Sequence, residues 1–256
     1  MSNTVDLNAD LAESYGAWTM GNDIALLDIV TSANIACGFH AGDPKVMTDT
    51  VRLCQEKGVG IGAHPGFDDI RGFGRRRILG MNAEETKAML LYQIGALQAI
   101  ARGEGAAVRH VKLHGALSNM ASEEAAIADS YVAAAKAADP DLIVVAMATT
   151  ELEQSVLRSG MRIARELYAD RGYNPDGTLV SRGQPGAMIH DAEVAAERVL
   201  RMVQEQAITA IDGSKIPTAG DSVCVHGDGP EALRIAEQIR NRLDKAGIAV
   251  RTLATA

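Results

Sequence analysis

Apolar positions in this chain fall into short runs separated by longer helical patterns. Runs at 4–8, 32–37, 58–63, 110–113, 142–147, 162–166, 222–225 and 248–253 have strand length. Several read as apolar on both faces, most clearly Leu142-Ile143-Val144-Val145-Ala146, as buried parallel strands do. Helices are predicted between them. Asp43 and Pro44 supply an N-cap and a first helical residue, and Gly58 a stop. Asn82 and Glu85 have capping-box spacing ahead of an Ala/Leu-rich helix to Arg102, and Thr150 with Glu153 opens a helix ending at Gly160. Helices over 122–138, begun by two glutamates, over 191–206 and over 230–246 complete the set.

Repeated strand–helix alternation implies an α/β fold with a parallel sheet and right-handed crossovers. Polar clusters follow nearly every strand, which favours a closed ring over an open sheet with one switch point. The expected architecture is one domain over residues 1–256, an irregular TIM-like (β/α)7-8 barrel whose last run has no helix after it. Two stretches look inserted: 168–190, rich in Gly, Pro and Arg, and 207–220, where Asp212-Gly213 between apolar runs suggests a hairpin.

The clusters carry the candidate chemistry. They are Asn8-Ala9-Asp10-Leu11-Ala12-Glu13, Cys37 to Asp43 with His40, His64-Pro65-Gly66-Phe67-Asp68-Asp69, Lys112-Leu113-His114-Gly115, Glu166 with Asp170-Arg171, and His226-Gly227-Asp228. Five of the six histidines, all but His190, lie in or beside these strands. In a parallel α/β fold such segments converge on one face. Each has a plainer reading. Asp43 and Asp228 fit helix caps, and His110, alternating with His114, fits a satisfied core histidine as well as a functional one. Lys112 in an apolar strand needs a carboxylate or a bound anion, because a buried, unpaired ammonium is costly. Asp10, His40 and His64 form a possible ligand set for a divalent metal, or act as acid and base without one. Gly72-Phe73-Gly74-Arg75-Arg76-Arg77 offers cations for a carboxylate or phosphate, and reads equally as a solvated loop or a protein contact.

Composition narrows the field. Hydrophobic residues make up 47% of the chain and aromatics only 4%, so the core is built from Ala, Val, Ile, Leu and Met. A formal charge of −8 argues against nonspecific nucleic-acid binding. No apolar run reaches the roughly 18–20 residues of a membrane span, and the first ten residues lack a basic signal-peptide region. Three cysteines without a C-x-x-C suit a reduced, cytoplasmic protein. A P-loop, a dinucleotide G-x-G-x-x-G and a G-x-S-x-G elbow are absent. Cys37, though near His40, reads as a small buried hydrophobe.

The strings Val5 to Ser14, Asn34 to Asp43, Gly62 to Gly66, Gly72 to Arg76, Val111 to Leu117, Glu166 to Tyr173 and Val225 to Asp228, in that order, resemble the LamB/YcsF family. The resemblance spans essentially the whole chain. It implies a barrel related to the glycoside hydrolase/deacetylase superfamily. It also implies work as component A of a multi-subunit, ATP-dependent 5-oxoprolinase, alongside two further subunits (B and C). Such an enzyme cleaves 5-oxoproline (pyroglutamate) to L-glutamate with ATP hydrolysed to ADP and phosphate. Within that frame Asp10, His40, His64, Lys112 and His114 are expected to be catalytic. Asn8, Glu13, Arg75, Glu166, Asp170, Arg171 and His226 are expected to bind substrate. ATP is then a co-substrate of the complex. The rival expectation is a stand-alone, metal-dependent amide or carbohydrate deacetylase.

Overall fold

The apolar runs become a ring of parallel strands with helices outside it. The computed structural model describes residues 4–225 and 231–253. In chain order the elements are β1 (Thr4–Leu11), α1 (Asp23–Leu26), β2 (Ser32–Ala36), α2 (Pro44–Lys57), β3 (Gly60–His64), α3 (Ala83–Gly103), β4 (Val108–Val111), α4 (Gly115–Glu123) and α5 (Ala125–Ala138). They continue with β5 (Ile143–Ala146), α6 (Glu151–Ser159), β6 (Arg162–Tyr168), α7 (Ala192–Glu205), β7 (Ala207–Thr209), β8 (Lys215–Pro217), β9 (Ser222–Val225), α8 (Ala232–Lys245) and β10 (Ala249–Val250). Strands β1 to β6 pair in order, β6 pairs with β9, and β9 returns to β1. The result is a closed, all-parallel, seven-stranded barrel.

The expected caps form. Asp43 accepts from the amides of Lys45 and Val46, and Gly58 ends α2 at φ 68°. Asn82 and Glu85 complete a reciprocal capping box. The β7–β8 hairpin turns through Asp212-Gly213. Three expectations are corrected. The run at 248–253 adds only Ala249 and Val250, paired to Thr4 and Val5 below the ring. The helix expected over 122–138 is two helices meeting at Glu124, whose backbone is extended. Its two glutamates do not open a helix together, because Glu123 closes α4 and both carboxylates are taken by Arg77. Finally, β5 is apolar on both faces as expected, with Val144 in the outer core and Ile143 and Val145 in the separate inner cluster, but β1 is not, since Asp6, Asn8 and Asp10 alternate with its apolar residues.

Alternation along each strand assigns the faces. Leu7, Ala9, Leu11, Ile35, Val111, Val144, Leu167 and Val223 join a continuous core with Val51, Leu90, Ile94, Leu97, Val199 and Ile239 of the helices. Burying each aliphatic side chain there stabilises the fold by roughly 1.5–3 kcal/mol. Inside the ring the apolar content is a small separate cluster of Ile143, Val145, Ala164 and Leu253. The rest of the lumen is polar, with Asp6, Asn8, Ser32, Asn34, His64, His110, Lys112, Glu166 and Ser222 all buried. TIM barrels usually fill this space with branched apolar residues. Gly62 makes the polar filling possible, since a Cβ there would sit 2.0 Å from His110 Nε2 on the next strand.

Candidate active site

The site is built in tiers up the lumen. At the bottom, Asp6 accepts from Thr31 Oγ1 at 2.8 Å, from Ser32 Oγ at 2.6 Å and from Ser222 Oγ. Burial raises its carboxyl to about 6 despite these donors. In the middle tier, Asn8 Nδ2 donates to Ser222 Oγ (2.7 Å) and Glu166 Oε1 (3.1 Å). Asn34 Nδ2 donates to Asn8 Oδ1 (2.7 Å) and Asp10 Oδ1 (2.8 Å). His110 Nε2 donates to Asn34 Oδ1 at 2.9 Å, which fixes its tautomer. Burial, then the nearby Lys112 charge, lowers His110 to about 3, so it is neutral. His110 therefore holds the structural role.

Lys112 divides the tiers. Its Nζ lies 2.9 Å from Asp10 Oδ1, 2.9 Å from Glu166 Oε1 and 3.1 Å from Cys224 Sγ. Burial opposes its charge, but the surrounding negative groups, Asp10 foremost, overcome that and raise its pKa. The buried cation is thus paired within the chain, and its three protons are engaged.

The top tier is different. His64 Nδ1 faces Lys112 O at 2.9 Å and His114 Nε2 faces Phe73 O at 2.8 Å. A carbonyl only accepts, so each of these nitrogens carries the ring proton. That leaves His64 Nε2 and His114 Nδ1, 3.0 Å apart, as the bare nitrogens. Two electron pairs pointing at each other need a positive charge between them, a proton or a metal cation. Burial, then His64, lowers His114 to about 3, which disfavours an extra proton on it. Beside them His40 stacks on His114 with ring centroids 3.7 Å apart, and both its ring nitrogens are buried without a hydrogen-bond partner among the described residues. Burial pushes its pKa far below the ordinary value, so it too is neutral. Glu13 Oε1 reaches to 3.6 Å from His114 Nδ1 and 3.9 Å from His40 Nε2.

One donor atom from each of Glu13, His40, His64 and His114 lies within 4.8 Å of the others. A shared proton needs two of these atoms; four converging donors suit a divalent cation, and backbone carbonyls hold the outer nitrogens of His64 and His114 as in metal sites. The ligand set expected from sequence was Asp10, His40 and His64. In the structure Glu13 and His114 join the two histidines, while Asp10 Oδ2 stands 3.4 Å from His64 Nε2. Local backbone strain shapes the cluster. Ala12 (φ 59°), just before Glu13, and Phe73 (φ 53°), whose carbonyl orients His114, both occupy the left-handed region. Gly74 is needed between the stacked rings, for a Cβ there would lie 2.8 Å from both His114 Cδ2 and His40 Cβ.

Above the cluster opens a cavity of about 380 Å3. Asp10, Glu13, Lys112 and His114 line it, with Arg75, Arg77, Ser118, Asn119, Met147, Tyr168, Arg171 and Arg182. Of the arginine run, Arg75 packs over Phe73 and lines the cavity, Arg76 pairs with Asp69, and Arg77 holds Glu123 and Glu124. Asn8 and Glu166 lie beneath the cavity as supports for Lys112. Asp170 is buried beside Arg171, and Asp43 caps α2. His226 and Asp228 lie outside the described residues. Cys37, pushed up to about 12 by burial, is no nucleophile. Sequence reasoning missed Asn34, Ser118, Asn119 and Arg182. For Arg182 the signal available was the Gly- and Arg-rich insertion at 168–190.

The model of the LamB/YcsF family matches residues 5–256. A relative from Gluconobacter oxydans (strain 621H), named as the A component of 5-oxoprolinase, is 50% identical over 250 residues, 98% of each chain. The crystal structure of the lactam utilization protein from Thermus thermophilus is similar at a TM-score of 0.92 and 44% identity, over 97% of this chain and 99% of that one. A family 4 carbohydrate esterase from Streptomyces lividans shares the fold at a TM-score of 0.50 and 12% identity, over 98% of this chain and 92% of that one. Among the described residues no helix is long and apolar enough to cross a membrane.

Proposed function

The chain belongs to the LamB/YcsF family, and on that premise we propose that it is the ring-opening component, component A, of an ATP-dependent 5-oxoprolinase. The reaction is hydrolysis of the cyclic amide of 5-oxoproline to L-glutamate, with ATP converted to ADP and phosphate. Half-identical relatives of full length bear that component's name. The observation that carries the chemistry is the pair of bare imidazole nitrogens, 3.0 Å apart, at the floor of a cavity sized for a small ring.

Glu13, His40, His64 and His114 would hold a divalent cation, which when bound supplies Lewis acidity and a more acidic water. Asp10 stands beside His64 at the cavity floor, where its carboxylate serves as acceptor for the proton of the attacking water. Lys112 has its protons committed to Asp10 and Glu166, so it orients these carboxylates and leaves anion binding to the arginines. Asn8 and Asn34 fix the same two carboxylates through their amides.

An unactivated lactam resists water. Phosphoryl transfer from ATP to the amide oxygen weakens its resonance and prepares a leaving group. Water then adds to the same carbon, giving its proton to Asp10, and the ring C–N bond breaks with nitrogen taking a proton. Loss of phosphate to a second water leaves the γ-carboxylate. With no nucleotide-binding motif in the sequence, ATP handling falls to the two partner subunits (B and C). The buried, free cysteines Cys37, Cys54 and Cys224 suit a cytoplasmic setting.

Reconstitution tests the reading. With its partners and ATP the chain should form glutamate from 5-oxoproline, and without partners it should not. Rapid lactam opening by the chain alone, or deacetylation of an N-acetyl sugar without ATP, would overturn it in favour of a stand-alone enzyme.

A further inference from the structure

The wall of the cavity opposite the histidines carries a charge imbalance. Arg171 is buried, 7% exposed, yet among the described residues it forms no ion pair with a carboxylate. Its Nη2 donates to Val180 O at 2.7 Å and its Nε to Ala187 O at 3.3 Å, both within the 168–190 loop. These bonds fix the guanidinium without neutralising it. Arg182, from the same loop, lines the cavity with it and likewise has no ion pair among the described residues. Both guanidiniums line one cavity, and burial and then the Arg182 charge lower the pKa of Arg171. Asp170 favours the Arg171 charge, but by less than Arg182 opposes it. Two other cations of the lining are committed to carboxylates, Lys112 to Asp10 and Glu166, and Arg77 to Glu123 and Glu124. A chain with a net charge of −8 has many carboxylates available, but among the described residues none forms an ion pair with this guanidinium couple. A buried cation without a paired counter-ion is expensive, and two planar forks suit an oxyanion.

We infer that Arg171 and Arg182 form the subsite that binds the substrate's carboxylate and selects for it. The inference rests on the proposed lactam substrate, which carries its carboxylate at one end of the ring and its scissile carbonyl at the other. Arg171 is the fixed half of the subsite. Arg182, exposed on the loop, is the adaptable half and the specificity-determining residue. Held there by its carboxylate, the ring presents its carbonyl toward Asp10 and the histidines across the cavity.

The test compares wild type, Arg182→Gln and Arg182→Lys in the complex reconstituted with its partners, with 5-oxoproline and its neutral amide, 5-oxoprolinamide, as substrates. Arg182→Gln should raise KM for the acid about tenfold with kcat changed less than about threefold, and cut the preference for acid over amide by about tenfold. Arg182→Lys should recover part of that preference. An unchanged KM, or equal losses on acid and amide, overturns the inference. If the wild-type complex opens no lactam, the functional reading fails, and calorimetry on the isolated full chain decides the subsite. Binding of 5-oxoproline that Arg182→Gln abolishes supports it. Inorganic phosphate bound in preference to 5-oxoproline and lost in Arg182→Gln overturns the carboxylate assignment. So does binding that the substitution leaves unchanged.

Discussion

Below Lys112, the lumen's polar side chains find complements; above it, the imidazoles do not. Asp6 collects three hydroxyl donors, Asn8 and Asn34 bridge β1, β2, β6 and β9, and His110 donates to Asn34. Higher up, His64 and His114 face each other through bare nitrogens, and among the described residues His40 has no hydrogen-bond partner for either ring nitrogen. Both tiers are equally buried, so exposure does not separate them. Satisfaction does. Buried polar groups that are fully paired specify a structure, and buried groups left unpaired are retained for something the chain does not itself supply.

Breaking each tier should therefore have opposite signatures. His64→Ala should lower turnover of the assembled complex at least a thousandfold, about 4 kcal/mol in barrier height, with an unchanged circular dichroism spectrum. Turnover within tenfold of wild type would remove His64 from the site. Lys112→Met should instead destabilise the fold: it leaves Asp10 and Glu166 as uncompensated charges in the lumen, at a cost of about 3–5 kcal/mol. Urea titration reads that cost, and a variant within about 1 kcal/mol of wild type would show that the ion-pair tier is dispensable.

A divalent cation separates the tiers a second way. At a thousandfold excess over its Kd it should stabilise the wild-type chain by about 4 kcal/mol, seen as a higher melting temperature. His64→Ala and His114→Ala should lose that response, and a lower-tier substitution such as Asp6→Asn should keep it. An equal cation response in all four proteins would mean that the ion binds elsewhere.

The contrast also explains what could be read in advance. Helix ends were legible because capping is local: Asp43, Asn82 and Thr150 act on amides two or three residues away. The strand-end histidines were legible because a parallel ring gathers its strand ends whatever its closure. The polar lumen was not, since β1, reading Val5-Asp6-Leu7-Asn8-Ala9-Asp10-Leu11, has the alternation of a strand with one face in water. Only the closing pair of β1 and β9 turns that face inward. Nor was α4 legible, starting as it does at Gly115 with φ 57°, a residue and conformation that argue against helix. Glu13's place beside the histidines depends on the strained turn at Ala12, which nothing in residue type announces.

The smallest effect expected is the share of the pH dependence that Asp6 contributes. Asp6 has its carboxyl raised from 3.8 to about 6, chiefly by burial. A raised acid binds its proton more tightly when folded, so its contribution is fully present below pH 3.8 and is lost as pH rises through about 6. The rise corresponds to about 3 kcal/mol at ~1.36 kcal/mol per unit. His110, lowered to about 3, works in the opposite direction. Its folded form rejects a proton that the unfolded chain takes up below 6.5, so its contribution is present above 6.5 and is lost as pH falls toward 3. The Asp6 slope opposes the His110 slope between about pH 4 and 6, and His114 and His40, also lowered by burial, act with His110. Asp6→Asn removes the Asp6 slope and leaves those of the histidines. Its stability relative to wild type should therefore climb by up to about 3 kcal/mol from about pH 4 to pH 7, read by urea titration at each pH. A constant difference across that range would mean that Asp6 ionises as freely in the folded lumen as in the unfolded chain, and that its three hydroxyl donors offset its burial.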